Sequence, residues 1–195
     1  MSSKTDYRDK RVEEWGMPEW EEFVRDLREE MRRKGRESIC DRGRPGRLIA
    51  WWGEEGKSCP NRPSRNTAWV EIHYYENYRI YFLAFWVPFT RCIHVDVEES
   101  EQRHRICVEL REKLKRFAQD HKWECVVDEP DEFIKPHTEE EFGTTSGAVF
   151  CKTTKQNCWL AETNGRLDMG KTVENLLKAE EVVRCVFEDY LLWSG

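Results

Sequence analysis

Two aromatic and β-branched runs, Thr67 to Tyr75 (TAWVEIHYY) and Tyr78 to Val87 (YRIYFLAFWV), sit on either side of Glu76-Asn77. Residues of these types suit a pleated, half-buried surface, and a polar pair between two such runs predicts a tight antiparallel hairpin. An isolated hairpin is marginal in water, so the chain has to build further structure around this one. Other strand-like segments are at hand: Leu48 to Trp52, Arg91 to Val97 (RCIHVDV) and Lys122 to Val127 (KWECVV). Gly147 to Thr153 and Asn157 to Glu162 read as a second hairpin closed near Lys155-Gln156, with Asn164-Gly165 as a further turn.

Three helices are expected. Pro18 opens the first, whose apolar positions Trp20, Phe23, Val24, Leu27 and Met31 share one face, and Gly35 ends it. The breaker-rich stretch 35–46 reads as a loop. Ser100 caps a second helix over Glu101 to Gln119, with Cys107, Leu110, Leu114, Phe117 and Ala118 inward. The third runs from Thr172 to Leu192 and turns Val173, Leu176, Leu177, Val183, Phe187, Tyr190 and Leu191 inward. Strands arrive in runs rather than alternating with helices. The expected fold is therefore α+β: a mostly antiparallel sheet, a meander plus a second hairpin, with three main helices packed on it. Residues 1–195 read as a single domain, frayed over Met1 to Gly16, with an aperiodic acidic loop over 128–146.

Among its 195 residues the chain has 9 Trp, 9 Phe and 6 Tyr, enough large rings to exclude a disordered class. No apolar run approaches the ~20 residues of a membrane span, and the charged N-terminus is no signal peptide, so no membrane partner is expected. The 8 cysteines include no CxxC pair. Cys92, Cys107, Cys125 and Cys185 stand where small apolar residues belong, which reads as free thiols in a cytoplasmic protein.

Charge is unevenly spread behind the net value of −6. From Arg25 to Arg47 nine basic side chains face five acidic ones, and Arg32, Arg33, Arg36, Arg42 and Arg44 form a glycine-interrupted cluster suited to phosphates. From Glu124 to Glu141 eight acids face a single lysine. That loop suits a basic partner or plain solvation.

Strand parity supplies the candidate chemistry. Trp69, Glu71, His73 and Tyr75 alternate with apolar neighbours, and so do Cys92, His94 and Asp96 on the segment around Val95. If both sets fall on one face, Glu71, His73, His94 and Asp96 converge, with Arg79 and Tyr81 added from the intervening strand. Such a set suits general acid–base work or a metal held by His73, His94 and Asp96. Gly53 to Ser58 ends in GKS, but two residues rather than four separate its glycines and two prolines follow, so it is no phosphate-binding loop. No serine elbow, HExxH or acid-x-Lys strand pair is present.

These features favour a non-catalytic, intracellular binding or regulatory protein without a cofactor, engaging a protein partner through Trp69, Tyr75, Arg79 and Tyr81. The first alternative is a metal-dependent nuclease or hydrolase built on Glu71, His73, His94 and Asp96. The second is a nucleic-acid-binding module using the arginine cluster over 25–47. Oligomeric state is left open by the sequence.

Overall fold

The computed structural model describes residues 6–40, 48–52, 68–87, 97–124, 146–152 and 157–191. Within them the class is mixed α+β. Helices α1 (Met17–Arg33), α2 (Val97–Asp120) and α3 (Met169–Leu191) accompany strands β1 (Glu37–Cys40), β2 (Leu48–Trp52), β3 (Ala68–Tyr75), β4 (Ile80–Val87) and β5 (Ser146–Lys152). These five strands form one sheet in the order β1-β2-β3-β4-β5, each pair antiparallel. Two short strands, β6 (Glu162–Thr163) and β7 (Arg166–Leu167), pair separately.

The expected meander plus second hairpin is overstated. Gly147 to Thr153 does not pair with Asn157 to Glu162; as β5 its backbone bonds instead to β4. The chain over 157–161 is bent, and only Glu162–Thr163 becomes strand, folding back on Arg166–Leu167 around Asn164 and Gly165. Both turn residues take positive φ, 55° and 79°, the conformation this Asn-Gly pair accepts most easily. Lys122 and its neighbours do not open a strand: Glu124 N–H donates to Asn157 O at 2.7 Å and Asn157 Nδ2 donates to Lys122 O at 3.1 Å, and 125–127 lie outside the described residues. Conversely β1 forms within the stretch expected to be loop.

Val97, expected as the last residue of a strand, begins α2, so Ser100 lies inside the helix rather than capping it. The segment 91–96 is outside the described residues.

Helix α1 follows its sequence pattern closely. Trp20, Phe23, Val24, Leu27 and Met31 are all buried, and Gly35 (φ 73°) lets the chain turn away after the last turn. Glu19 reaches back to accept the Gly16 N–H at 2.9 Å and pairs with Lys10 at 2.5 Å. Burial pushes its carboxyl up, but the Lys10 bond and the backbone donors outweigh it and hold Glu19 below the ordinary glutamate range. In α3, Asp168 caps by accepting from Lys171 N–H at 2.9 Å, and Val173, Leu176, Val183 and Val186 are buried.

Helix α1 touches α3 and α3 touches α2, so the three make one layer over one sheet face. That face contributes Leu48, Val70, Ile72, Leu83 and Phe150 to the core. The expected frayed N-terminus is corrected over 6–16: Tyr7, Val12 and Trp15 are buried in the same core. Trp15 stacks edge-on to Tyr7, with ring centroids 5.4 Å apart, and donates its indole N–H to the Tyr7 carbonyl. Of the cysteines expected as buried free thiols, Cys185 is a free thiol but exposed; Cys158, outside that set, is buried and forms no disulfide. Cys92, Cys125 and the Cys107 side chain lie outside what is described.

One ion pair joins chain ends far apart in sequence. Arg36 Nε donates to Glu180 Oε1 at 2.6 Å, tying the entrance of β1 to α3, and Glu180 is only 2 % exposed. Removing one partner of a buried pair leaves a charge that water reaches poorly. Arg36→Ala is therefore expected to cost about 3 kcal/mol in a urea titration. A midpoint equal to that of the wild type would contradict this assignment.

Candidate functional site

Cross-strand partners share a face of a pleated sheet, so register decides which side chains can act together. Tyr75 pairs with Ile80 and His73 with Phe82. Even-numbered residues of β4 therefore fall on the face of Trp69, Glu71, His73 and Tyr75, and odd-numbered ones on the opposite, helix-covered face. The loop between the strands is not the two-residue turn expected. Glu76–Tyr78 form a single 3-10 turn and Arg79 closes it at φ 52°.

This register corrects Tyr81. Expected beside His73 as an exposed aromatic, it is 1 % exposed in the core, stacked on Tyr74 with centroids 4.7 Å apart. Its hydroxyl donates to Val12 O at 2.9 Å, while Tyr74 donates to Trp15 O at 3.3 Å. Burial, followed by the neighbouring Tyr74, pushes the Tyr81 hydroxyl far above its ordinary range, so it serves as a fixed donor and not as a proton shuttle. Arg79 is exposed but engaged: its Nη1 donates to Glu13 O at 2.5 Å. Together these three side chains hold the carbonyls of Val12, Glu13 and Trp15, a binding role directed at the protein's own N-terminal segment.

The arginine cluster is likewise engaged within the chain. Arg32 pairs with Glu29 at 3.1 Å, Arg33 with Glu30, and Arg36 with Glu180 as described. Arg42 and Arg44 lie outside the described residues. On the outer side of α1 a cavity of ≈ 300 Å³ is lined by Glu22, Arg25, Asp26, Arg28 and Glu29, a mixture of both charges rather than a basic groove.

The proposed acid–histidine constellation is not brought together by the described residues. His94 and Asp96 fall outside them, and Glu71 is fixed only in backbone register, opposite Ile49 and Ala84. His73 is half-buried with its ring 4.6 Å from that of Tyr75, also half-buried. Among the described residues no group of three His, Cys, Asp or Glu could hold a metal ion.

What the register does assemble is an aromatic row. Trp51 pairs with Trp69 and Trp69 with Trp86, placing three tryptophans at matched positions on three neighbouring strands. Glu37 precedes them on β1 and Gly147 follows on β5. The next position along the face is occupied by Ile39, Ile49, Glu71, Ala84 and Val149. The three described helices belong to the other face.

A buried cation has no local sequence signature. Lys152, 4 % exposed at the end of β5, donates to Leu160 O at 2.7 Å and pairs with Glu162 at 2.5 Å. Its place opposite Tyr81 in the β4–β5 register was the only available signal, and that register depends on which strand β5 joins.

The geometry thus defines a mixed α+β protein with one face of its sheet committed to the core and the other carrying aromatic residues in register. Compared with protein-family models, curated proteins and solved structures, the chain shows no match. No helix among the described residues is long and apolar enough to cross a membrane.

The role given to Tyr81 is testable. Val12 O also accepts from Trp15 N–H, so removing the hydroxyl weakens the carbonyl's bonding without abandoning it. Tyr81→Phe is expected to lower stability by about 1 kcal/mol, seen as a lower urea midpoint at unchanged slope. An unaltered midpoint would show that the hydroxyl does not hold the N-terminal segment.

Proposed function

We propose that this chain is a non-catalytic binding protein that engages a protein partner through the aromatic face of its sheet. One observation carries the reading: the in-register row of Trp51, Trp69 and Trp86 on the face away from the helices. An antiparallel sheet with one face on the core and one in water carries polar residues on the second. By register the second face of this sheet combines the tryptophan row with Ile49, Phe82 and Val149, alongside Glu37, Glu71, His73 and Tyr75. Tryptophan and tyrosine are the residue types that concentrate binding energy at protein interfaces, because each offers a large rigid area with few rotamers to immobilise.

The regulatory and intracellular parts of the reading rest on the sequence: no catalytic signature, and cysteines in apolar positions. The engagement of Arg32, Arg33 and Arg36 with carboxylates of the same chain weighs against a phosphate-tracking arginine surface.

Capture of partners from a native lysate tests the proposal. The chain bearing Trp69→Ala and Tyr75→Ala, shown by circular dichroism to keep its helices, is expected to lose proteins that the wild type retains. Truncating one hot spot costs roughly 2 kcal/mol, about thirtyfold in affinity, enough to empty the beads. A partner set identical for both chains would count against this surface.

A further inference from the structure

We propose that Asn164 is a site of spontaneous backbone isomerisation, and that its isoaspartate product loosens the N-terminal segment docked on it. The sequence holds a single Asn-Gly pair, Asn164-Gly165, and the structure puts it at the tip of the β6–β7 ribbon. Asn164 is exposed, and its side-chain amide has no partner among the described residues. The Gly165 N–H likewise donates to no described group, while the Gly165 carbonyl accepts the Val12 N–H at 2.8 Å. The other described asparagines stand differently. Asn157 and Asn175 donate their amides to Lys122 O and Trp159 O, both at 3.1 Å, and Asn77 precedes Tyr78 rather than a glycine.

The reaction needs only water. The Gly165 amide nitrogen gives its proton to hydroxide and attacks Asn164 Cγ. The new C–N bond closes a succinimide ring as the bond from Cγ to the side-chain nitrogen breaks, and that nitrogen leaves as ammonia after taking a proton from water. Water then opens the ring at either carbonyl. Opening at Cγ yields aspartate; opening at the main-chain carbonyl yields isoaspartate, whose peptide link runs through the side chain. Overall a water is consumed and an ammonia released, with no change of oxidation state. Glycine favours closure because, without a Cβ, its nitrogen is the least hindered. Ring closure rotates the Asn164 main chain out of the left-handed conformation it holds at φ 55°, so the turn has to open first. A ribbon of two residue pairs opposes that weakly, since so short a pairing is marginal by itself.

The two products act differently on the fold. Aspartate keeps the main chain as it was and tolerates a positive φ. Isoaspartate adds a methylene to the main chain of a turn that Thr163 and Arg166 close in register, so Gly165 O is displaced. That carbonyl is the acceptor of the Val12 N–H, and Val12 is 0 % exposed, so the donor has no water to turn to. Arg11 lies against the same turn: a Cβ on Gly165 would stand 2.7 Å from its Nε. Displacing the turn therefore frees residues 11 and 12 on this side, while Tyr81, Arg79 and Tyr74 still hold the carbonyls of Val12, Glu13 and Trp15.

The test ages the full chain in native buffer at mildly alkaline pH and follows each asparagine by peptide mapping and mass spectrometry. Asn164 is expected to convert while Asn77 stays intact, with isoaspartate in excess over aspartate and a rate that rises with hydroxide concentration. In the isoaspartate-bearing fraction, isolated by chromatography, hydrogen exchange at the Val12 amide is expected to run about tenfold faster than in the fresh chain, as for the loss of one buried hydrogen bond. The Leu27 amide, inside α1, is expected to keep its protection. Asn164→Asp, freshly purified, carries the new charge on an unaltered main chain and is expected to exchange at Val12 as the fresh wild type does. The inference is overturned if Asn164 survives as long as Asn77, or if the isoaspartate fraction protects Val12 like the fresh chain. It is equally overturned if Leu27 accelerates with Val12, which would mean global unfolding, or if Asn164→Asp alone speeds exchange at Val12, which would make charge the cause.

Discussion

The pairing of β3 with β4 is the constraint on which the remaining structure depends. Side chains alternate with a period of two, so the match of Tyr75 with Ile80 assigns every residue of both strands to a face at once. It sends Ile72, Tyr74, Tyr81 and Leu83 to the helices. It gathers Trp69 and Trp86 on the other side. Because Tyr74 and Tyr81 land opposite each other, their hydroxyls reach the same stretch of backbone, the carbonyls of Trp15 and Val12. A slip of one residue would undo the core, the aromatic row and the seat of the N-terminal segment together.

That segment is held from three directions. The tyrosines grip it from the sheet, Arg79 takes Glu13 O, and Val12 N–H donates to Gly165 O at 2.8 Å. Gly165 is the natural residue there, since a Cβ would stand 2.7 Å from Arg11 Nε and its φ is already 79°. Ion pairs with a buried member mark the edges of the same layer: Lys10 with Glu19, Arg36 with Glu180, and Lys152 with Glu162. Buried pairs contribute less to net stability than to the choice among alternative packings, because desolvation offsets much of their attraction. Charges used in this way are not offered to a ligand.

Elements governed by one local periodicity were legible from the residues. The apolar stripe of α1 is an example: Trp20, Phe23, Val24, Leu27 and Met31 predict the buried face without reference to anything else. Where two local patterns competed, tertiary context decided. Val97 fits an alternating strand and equally a first helical turn with Glu98 and Glu99, and the helix prevailed. Residues 37–40 look like part of a polar loop until β2 is present to pair with them. Tyr7, Val12 and Trp15 show no periodicity at all, because their partners are a sheet face formed by residues 60 to 70 positions later. The face of Tyr81 is not set by local alternation but by the pairing across the turn, which puts odd positions of β3 opposite even positions of β4. The tryptophan row was hidden for the same reason: Trp51, Trp69 and Trp86 become neighbours only through register.

The most direct measurement is a nuclear Overhauser spectrum of the backbone protons of β2, β3 and β4. The account predicts cross-strand contacts linking Trp51 with Trp69, Trp69 with Trp86, and His73 with Phe82. Contacts displaced by one residue, linking Trp69 with Phe85 and His73 with Tyr81, would put Trp69 and Trp86 on opposite faces of the sheet and contradict it.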